Sequence, residues 1–222
     1  IMGTEALNYS WRGLNIYQSN SYVYVRLGND AGSSSTYYFT AGGHIPGTWN
    51  HIAVSWDKSL NKVWTYFNGQ LYSSGYTNNY WASTWPNLHL GWAYGYTSSS
   101  YRFNGAIDDF RVWTEVRSDS QIMNSYQSAY PELPIDNLDL LYSFNETSGD
   151  TSYNFMPLDV KGVHTDITRI NSDAGIFNPQ IEVLPYNGVI AGGDSNIVQI
   201  TLYGNGLNSG IFNSDVFIST ND

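Results

Sequence analysis

Between residues 13 and 76, apolar and polar positions alternate in short bursts separated by turn formers. GLNIYQ (13–18), YVYVRL (22–27) and TYYFTA (36–41) alternate or nearly so, the two-residue period of a half-buried strand. NDAGSSS divides the last two. HIPGTWNHIAVSWD (44–57) then predicts a Pro-Gly turn and a strand from His51 to Trp56. In that strand Ile52, Val54 and Trp56 share one face, and His51, Ala53 and Ser55 the other. KVWTYFNGQLYSSG (62–75) predicts a hairpin, because Asn68-Gly69 suits a type I′ turn whose two central residues need positive φ. Trp56 and Trp64 are expected to cap the core.

Residues 76–102 mix aromatics with small polar residues; NLHLGW (87–92) predicts a strand and the remainder loop. FNGAIDDFRVWTEV (103–116) predicts another strand. After it, RSDSQIMNSYQ predicts a helix with Ser118 as N-cap and Gln121 completing a capping box. Beyond the helix, YPELPIDN connects to LDLLYSFNETSGDTSYN (138–154). PQIEVLPYNG then sets a short strand between two prolines, and alternation resumes with strands expected near 196–203 and 215–219. The change of texture places a domain boundary near Asn178-Pro179, giving domains 1–178 and 179–222. About 44 residues are too few for a complete sandwich domain, so the second is expected to be partial.

Composition sharpens this to an all-β protein. Nineteen tyrosines and eight tryptophans fit pleated surfaces, and abundant Gly, Asn and Ser fit turns. A net charge of −10 leaves little to neutralise a row of phosphates, which argues against nucleic acid, and likewise against anionic lipid. There is no cysteine, hence no disulfide framework or thiol chemistry. No apolar run reaches the roughly 18 residues that would insert into a bilayer. IMGTEALNYSW has neither the basic nor the apolar region of a signal peptide, so an exported chain would carry its signal upstream.

Several stretches in order resemble the laminin-G-like, concanavalin A-like jelly-roll family: GTWNHIAVSWDKSLNKVWTYFNG, NLHLGW, FNGAIDDFRVWTEVRSDSQI and LDLLYSFNETSGDTSYN, together spanning about 44–160. The resemblance implies a concanavalin A-like jelly-roll sandwich with one short helix. It also implies N-terminal strands that are missing here or supplied by another segment, since an unpaired sheet edge invites aggregation. GLNSGIFNSDVFISTND (206–222) is similar to the closing strands of bacterial immunoglobulin-like modules, implying a partial immunoglobulin-like β-sandwich segment.

Jelly-roll glycosidases need two carboxylates flanking one bond, and in relatives of this shape they come from a single strand as Glu-x-Asp-x-x-Glu or a close variant. None of the five glutamates has that spacing, and adjacent Asp108 and Asp109 would point to opposite faces of a strand. The four histidines have neither zinc-ligand spacing nor a nucleophile elbow nearby. No catalytic residue is expected.

Strand parity puts Asp108 with Phe110 and Val112, facing inward, and Asp109 with Arg111, paired on the exposed face. In relatives the position matching Asp108 often holds a structural Ca²⁺; the alternative is that it accepts backbone N–H bonds from a loop. For ligand binding, sugar C–H faces stack on flat aromatics. Tyr80, Trp81, Trp85, Tyr94 and Tyr96 are the candidate platform, although Trp81 and Trp85 could equally cap the core. Asn8-Tyr9-Ser10 and Asn145-Glu146-Thr147 match glycosylation acceptors, as chance allows in an Asn-rich chain. The expected function is a non-catalytic adhesion or carbohydrate-binding module of a large bacterial secreted or cell-surface protein. Its partner would be a glycan, a surface polymer or other domains of the same protein. The alternatives are an architectural spacer and an ancillary domain of a polysaccharide-degrading enzyme.

Overall fold

The computed structural model describes residues 1–3, 13–28, 36–77, 88–91, 102–128, 136–144, 146, 148–154, 156, 160–164, 167–170, 181–184 and 199–202. The chain divides into two compact units, Ile1–Ile176 and Phe177–Asp222. In the first unit the strands are β1 (Met2–Gly3), β2 (Gly13–Ser19), β3 (Tyr22–Gly28), β4 (Thr36–Gly43), β5 (Ile52–Asp57), β6 (Lys62–Phe67), β7 (Gln70–Tyr76), β8 (His89–Leu90) and β9 (Phe110–Trp113). The helix α1 (Asp119–Ser125) and strands β10 (Leu138–Tyr142), β11 (Thr151–Tyr153) and β12 (Lys161–Val163) follow. The protein is all-β with one short helix.

A five-stranded antiparallel sheet runs in the order β4-β3-β2-β1-β8, and a three-stranded one in the order β5-β6-β7. Alternation decides what lies between them. Val23, Val25 and Leu27 of β3 point to the same face as Phe39 and Ala41 of β4, and they meet Val63 of β6 in one buried cluster. Leu14, Ile16, Ile52, Val54 and Trp56 pack on its margin. Removing each such side chain from water contributes roughly 1.5–3 kcal/mol. Thr65, on the inner face of β6, is fully buried and satisfies its hydroxyl by donating to the Thr40 carbonyl at 2.7 Å. Trp56 therefore caps the core as its parity requires. Trp64 does not: one residue out of phase with Val63 and Thr65, it lies on the opposite face of the sheet.

The β6–β7 turn is the one the sequence implies. Asn68 and Gly69 both have positive φ, 49° and 79°, and Asn68 also accepts the His51 amide at 2.8 Å. Ser118 N-caps α1, with both halves of the capping box formed. β9 and β10 pair over a second small cluster of Leu138, Leu141, Met156 and Trp113. β11 and β12 form a separate two-stranded ribbon.

In the second unit, β13 (Ile181–Leu184) pairs antiparallel with β14 (Gln199–Leu202). The strand expected near 215–219 and the motif resembling immunoglobulin-like modules lie outside the described residues.

Candidate functional site

Strand alternation gives the five-stranded sheet a second face, turned away from the core. Tyr22 and Tyr24 flank the buried Val23, Tyr38 sits between Tyr37 and the buried Phe39, and Tyr17 is the residue after Ile16. All four tyrosines thus share this outer face. Register brings them together: Tyr17 is directly opposite Tyr24, and their rings stack with centroids 5.6 Å apart and planes 25° apart. Tyr22 lies 6.4 Å from Tyr24 at a tilt. Tyr22 and Tyr38 remain 44% and 52% exposed. Burial, then the neighbouring Tyr38 and Tyr24, raises the Tyr17 phenol above its usual range, so it stays protonated in alkaline solution. Asn15 and Arg26, partners in register on the same face, are sunk at 3% and 8% exposure, and Tyr38 is in register with Arg26. The face is a row of aromatic rings with polar groups at its deep end. Such a surface can stack the apolar face of a sugar while phenols bond its hydroxyls.

The outer face of the three-stranded sheet carries other aromatics. Its rows, read across β5, β6 and β7, are Asp57–Lys62–Tyr76, Ser55–Trp64–Ser74 and Ala53–Tyr66–Leu71. Helix α1 and the segment before it anchor on one end. The Ser55 hydroxyl donates to the Arg117 carbonyl at 3.0 Å, and the Tyr66 phenol to Asp119 Oδ1 at 2.7 Å. Burial, then the Asp119 carboxylate, pushes the Tyr66 phenol far up. Tyr126, at the end of the helix, covers the turn at Gly69 and lies 5.8 Å from the His51 ring.

The two adjacent acids differ from expectation. β9 begins only at Phe110, and Asp109 has φ of +48°, so strand parity does not extend back to Asp108. The Asp109–Arg111 pair forms, but it is not on an exposed face. The side chains are only 14% and 12% exposed, with contacts of 2.8 Å and 2.5 Å. Burial outweighs the guanidinium and leaves the Asp109 carboxyl above its ordinary range. This carboxylate meets a cation that also donates to the Ser125 carbonyl at the end of α1 and the Ser128 carbonyl beyond it. Asp108 is half-buried, and its Oδ1 accepts the Asp109 amide at 2.9 Å. It offers a hard oxygen donor. Among the described residues no three His, Cys, Asp or Glu side chains converge as a metal cluster. A calcium ion at Asp108 would therefore draw most of its six to eight oxygens from carbonyls and water.

Three further carboxylates make structural bonds. Asp57 holds the turn after β5 through Ser59 and Leu60, Glu115 binds Arg117 and Asn137, and Glu146 binds Ser152, the Tyr153 amide and Arg169. The expected platform residues Tyr80, Trp81, Trp85, Tyr94 and Tyr96 lie outside the described residues. The tyrosine row went unnoticed in sequence because its residues sit in strands rather than loops. The available signal was YVYV, where tyrosine takes the positions a solvated face would give to polar residues.

A family model described as the Concanavalin A-like lectin/glucanases superfamily, of laminin G type, matches residues 4–123. The chain belongs to that family. The match takes in β2, β3 and β4, which carry none of the motifs between 44 and 160 on which the resemblance was read. No curated protein matches. Among solved structures, the chain is similar to a candidate carbohydrate-binding protein from Bacteroides ovatus, with 18% identity and a TM-score of 0.51. That similarity covers 69% of this chain and 44% of the other, so this chain spans less than half of that protein's length. An S-layer domain-containing protein from Clostridium thermocellum is 21% identical over 51% of this chain and 55% of that one, with a TM-score of 0.30.

Proposed function

We propose that this chain is a non-catalytic carbohydrate-binding module of a larger bacterial secreted or surface protein, and that the tyrosine row of the five-stranded sheet is its sugar platform. The observation that carries this reading is the stacked Tyr17–Tyr24 pair flanked by exposed Tyr22 and Tyr38 on the face away from the core. An outward row of rings gains nothing from core burial, whereas stacking on a pyranose uses it directly. The glycan-binding description of the Bacteroides ovatus protein supports the ligand class. Engagement of Asp109, Glu115 and Glu146 in structural bonds supports a role other than hydrolysis. The sequence-based reading of Trp81 and Trp85 as stacking residues belongs to the same proposal, as does a structural calcium ion at Asp108.

A glycan array tests the reading. Wild-type chain binds a defined set of polysaccharides, Tyr22→Ala/Tyr38→Ala loses at least tenfold in affinity with an unchanged melting temperature, and Trp81→Ala/Trp85→Ala reports the loop surface separately. No binding to any glycan would favour the architectural spacer. Chelator lowers the melting temperature if calcium is bound at Asp108, and Asp108→Asn removes that sensitivity.

A further inference from the structure

The chain contains nine Lys and Arg against nineteen Asp and Glu. Three of the cations, Arg111, Arg117 and Arg169, are tied to carboxylates. Lys62 is held differently. Its ammonium lies 4.9 Å from the centre of the Trp64 ring and 5.6 Å from that of Tyr76, and it forms no ion pair among the described residues. Tyr76 is 70% exposed, and Trp64 is half-buried between Ser55, which is buried where its hydroxyl donates to the Arg117 carbonyl, and the exposed Ser74 on the Tyr76 side. Helix α1 has only seven residues, roughly 10 Å of length, and is anchored at Tyr66 and Gly69, so it covers the other end of this face. Asp57, across the sheet from Lys62, directs Oδ1 into its own turn through Ser59 N, Ser59 Oγ and Leu60 N, and those bonds hold its carboxyl below the usual range.

We propose that Lys62, Trp64 and Tyr76 form a second saccharide site, separate from the tyrosine row, that takes an acidic sugar. A cation held against aromatic faces is oriented before binding, so little side-chain freedom is lost when an anion arrives. The sugar ring stacks on Tyr76 and the open part of Trp64, while its carboxylate or sulfate accepts from the Lys62 ammonium. Charge selects this occupant: on a chain of net charge −10, an acidic saccharide is repelled except where a cation and an apolar surface coincide.

The test is titration of the full chain with a galacturonate trimer, its methyl ester, a neutral trimer of the same size and a sulfated trisaccharide, followed by calorimetry and by amide and indole resonances. One or both acidic ligands shift the Trp64 indole and the Lys62 and Tyr76 amides, whereas the ester and the neutral trimer do not. Binding weakens severalfold between 50 and 300 mM salt, as roughly expected for one screened contact. Lys62→Met loses at least tenfold in affinity, and Trp64→Ala abolishes binding, with Trp64→Phe as an intermediate variant should alanine compromise folding. Tyr22→Ala/Tyr38→Ala leaves acidic-sugar binding unchanged, which separates this site from the tyrosine row. Equal binding of acid and ester, full affinity in Lys62→Met, or no binding of either acidic ligand overturns the proposal.

Discussion

At residue scale the decisive pair is Asp109 and Arg111. Adjacent residues on a regular strand would face opposite ways, but the left-handed φ of Asp109 re-aims its carboxylate before β9 begins. The result is a sheltered ion pair whose cation also holds backbone carbonyls at the end of α1. Removing one member of such a pair leaves the other charge sheltered and uncompensated, which costs about 3 kcal/mol or more. Arg111→Met, which strands the sheltered carboxylate and the carbonyls at the end of α1, should therefore lower stability by about that amount in urea denaturation, far more than the half kilocalorie expected of a surface pair. Joint replacement of Asp109 and Arg111 by Asn and Met should recover part of the loss. A surface-sized effect would show that the pair is solvated. Nothing in the sequence distinguishes the two cases, because burial is a sum over neighbours distant along the chain.

At the scale of elements the chain was more legible. Asn68-Gly69 sets its turn through two positive φ values that few other residues adopt, and Ser118 with Gln121 sets the start of α1 through bonds between near neighbours. Local causes read locally. Ser118→Ala removes the side-chain acceptor for the Gln121 amide and should cost about 1 kcal/mol, seen as a lower midpoint in denaturant with an unchanged slope. Because α1 carries Asp119 against Tyr66 and Tyr126 against Gly69, the same variant should also speed amide exchange in β6 and β7. Trp64 shows where element-level reading fails. A tryptophan in a strand suggests core, yet its parity with Lys62 and Tyr66 sends it to the outer face, where a cation lies against it.

At the scale of the whole molecule, acid stability turns on His51. Burial, then the Arg111 charge, lowers its imidazole from the ordinary 6.5 to about 4. The unfolded chain therefore binds this proton first. Between about pH 6.5 and pH 4 the unfolded state holds more protons than the folded one, so stability falls as pH falls, by about 3 kcal/mol over the window. Above pH 6.5 this term is constant. His89 and His164 are shifted in the same direction, chiefly by burial, while the raised Asp109 carboxyl opposes them at the acid end. Urea denaturation from pH 8 to 4 should show a plateau and then a decline, and His51→Gln should flatten it. Should that variant fold poorly, the imidazole resonances of the native chain give the same answer, with His51 titrating near 4. A value near 6.5 would contradict its burial.

The sequence by itself determined the strand class, the hairpin, the capped helix and the family, because alternation, turn chemistry and capping act between residues a few positions apart. Only the tertiary structure decided which aromatic residues face outward together. Tyr17, Tyr24 and Tyr38 come from three strands, and Lys62, Trp64 and Tyr76 from two, so register across a sheet, rather than order along the chain, makes each a surface. Burial, likewise a sum over distant neighbours, turned an apparently exposed acid into half of a sheltered pair.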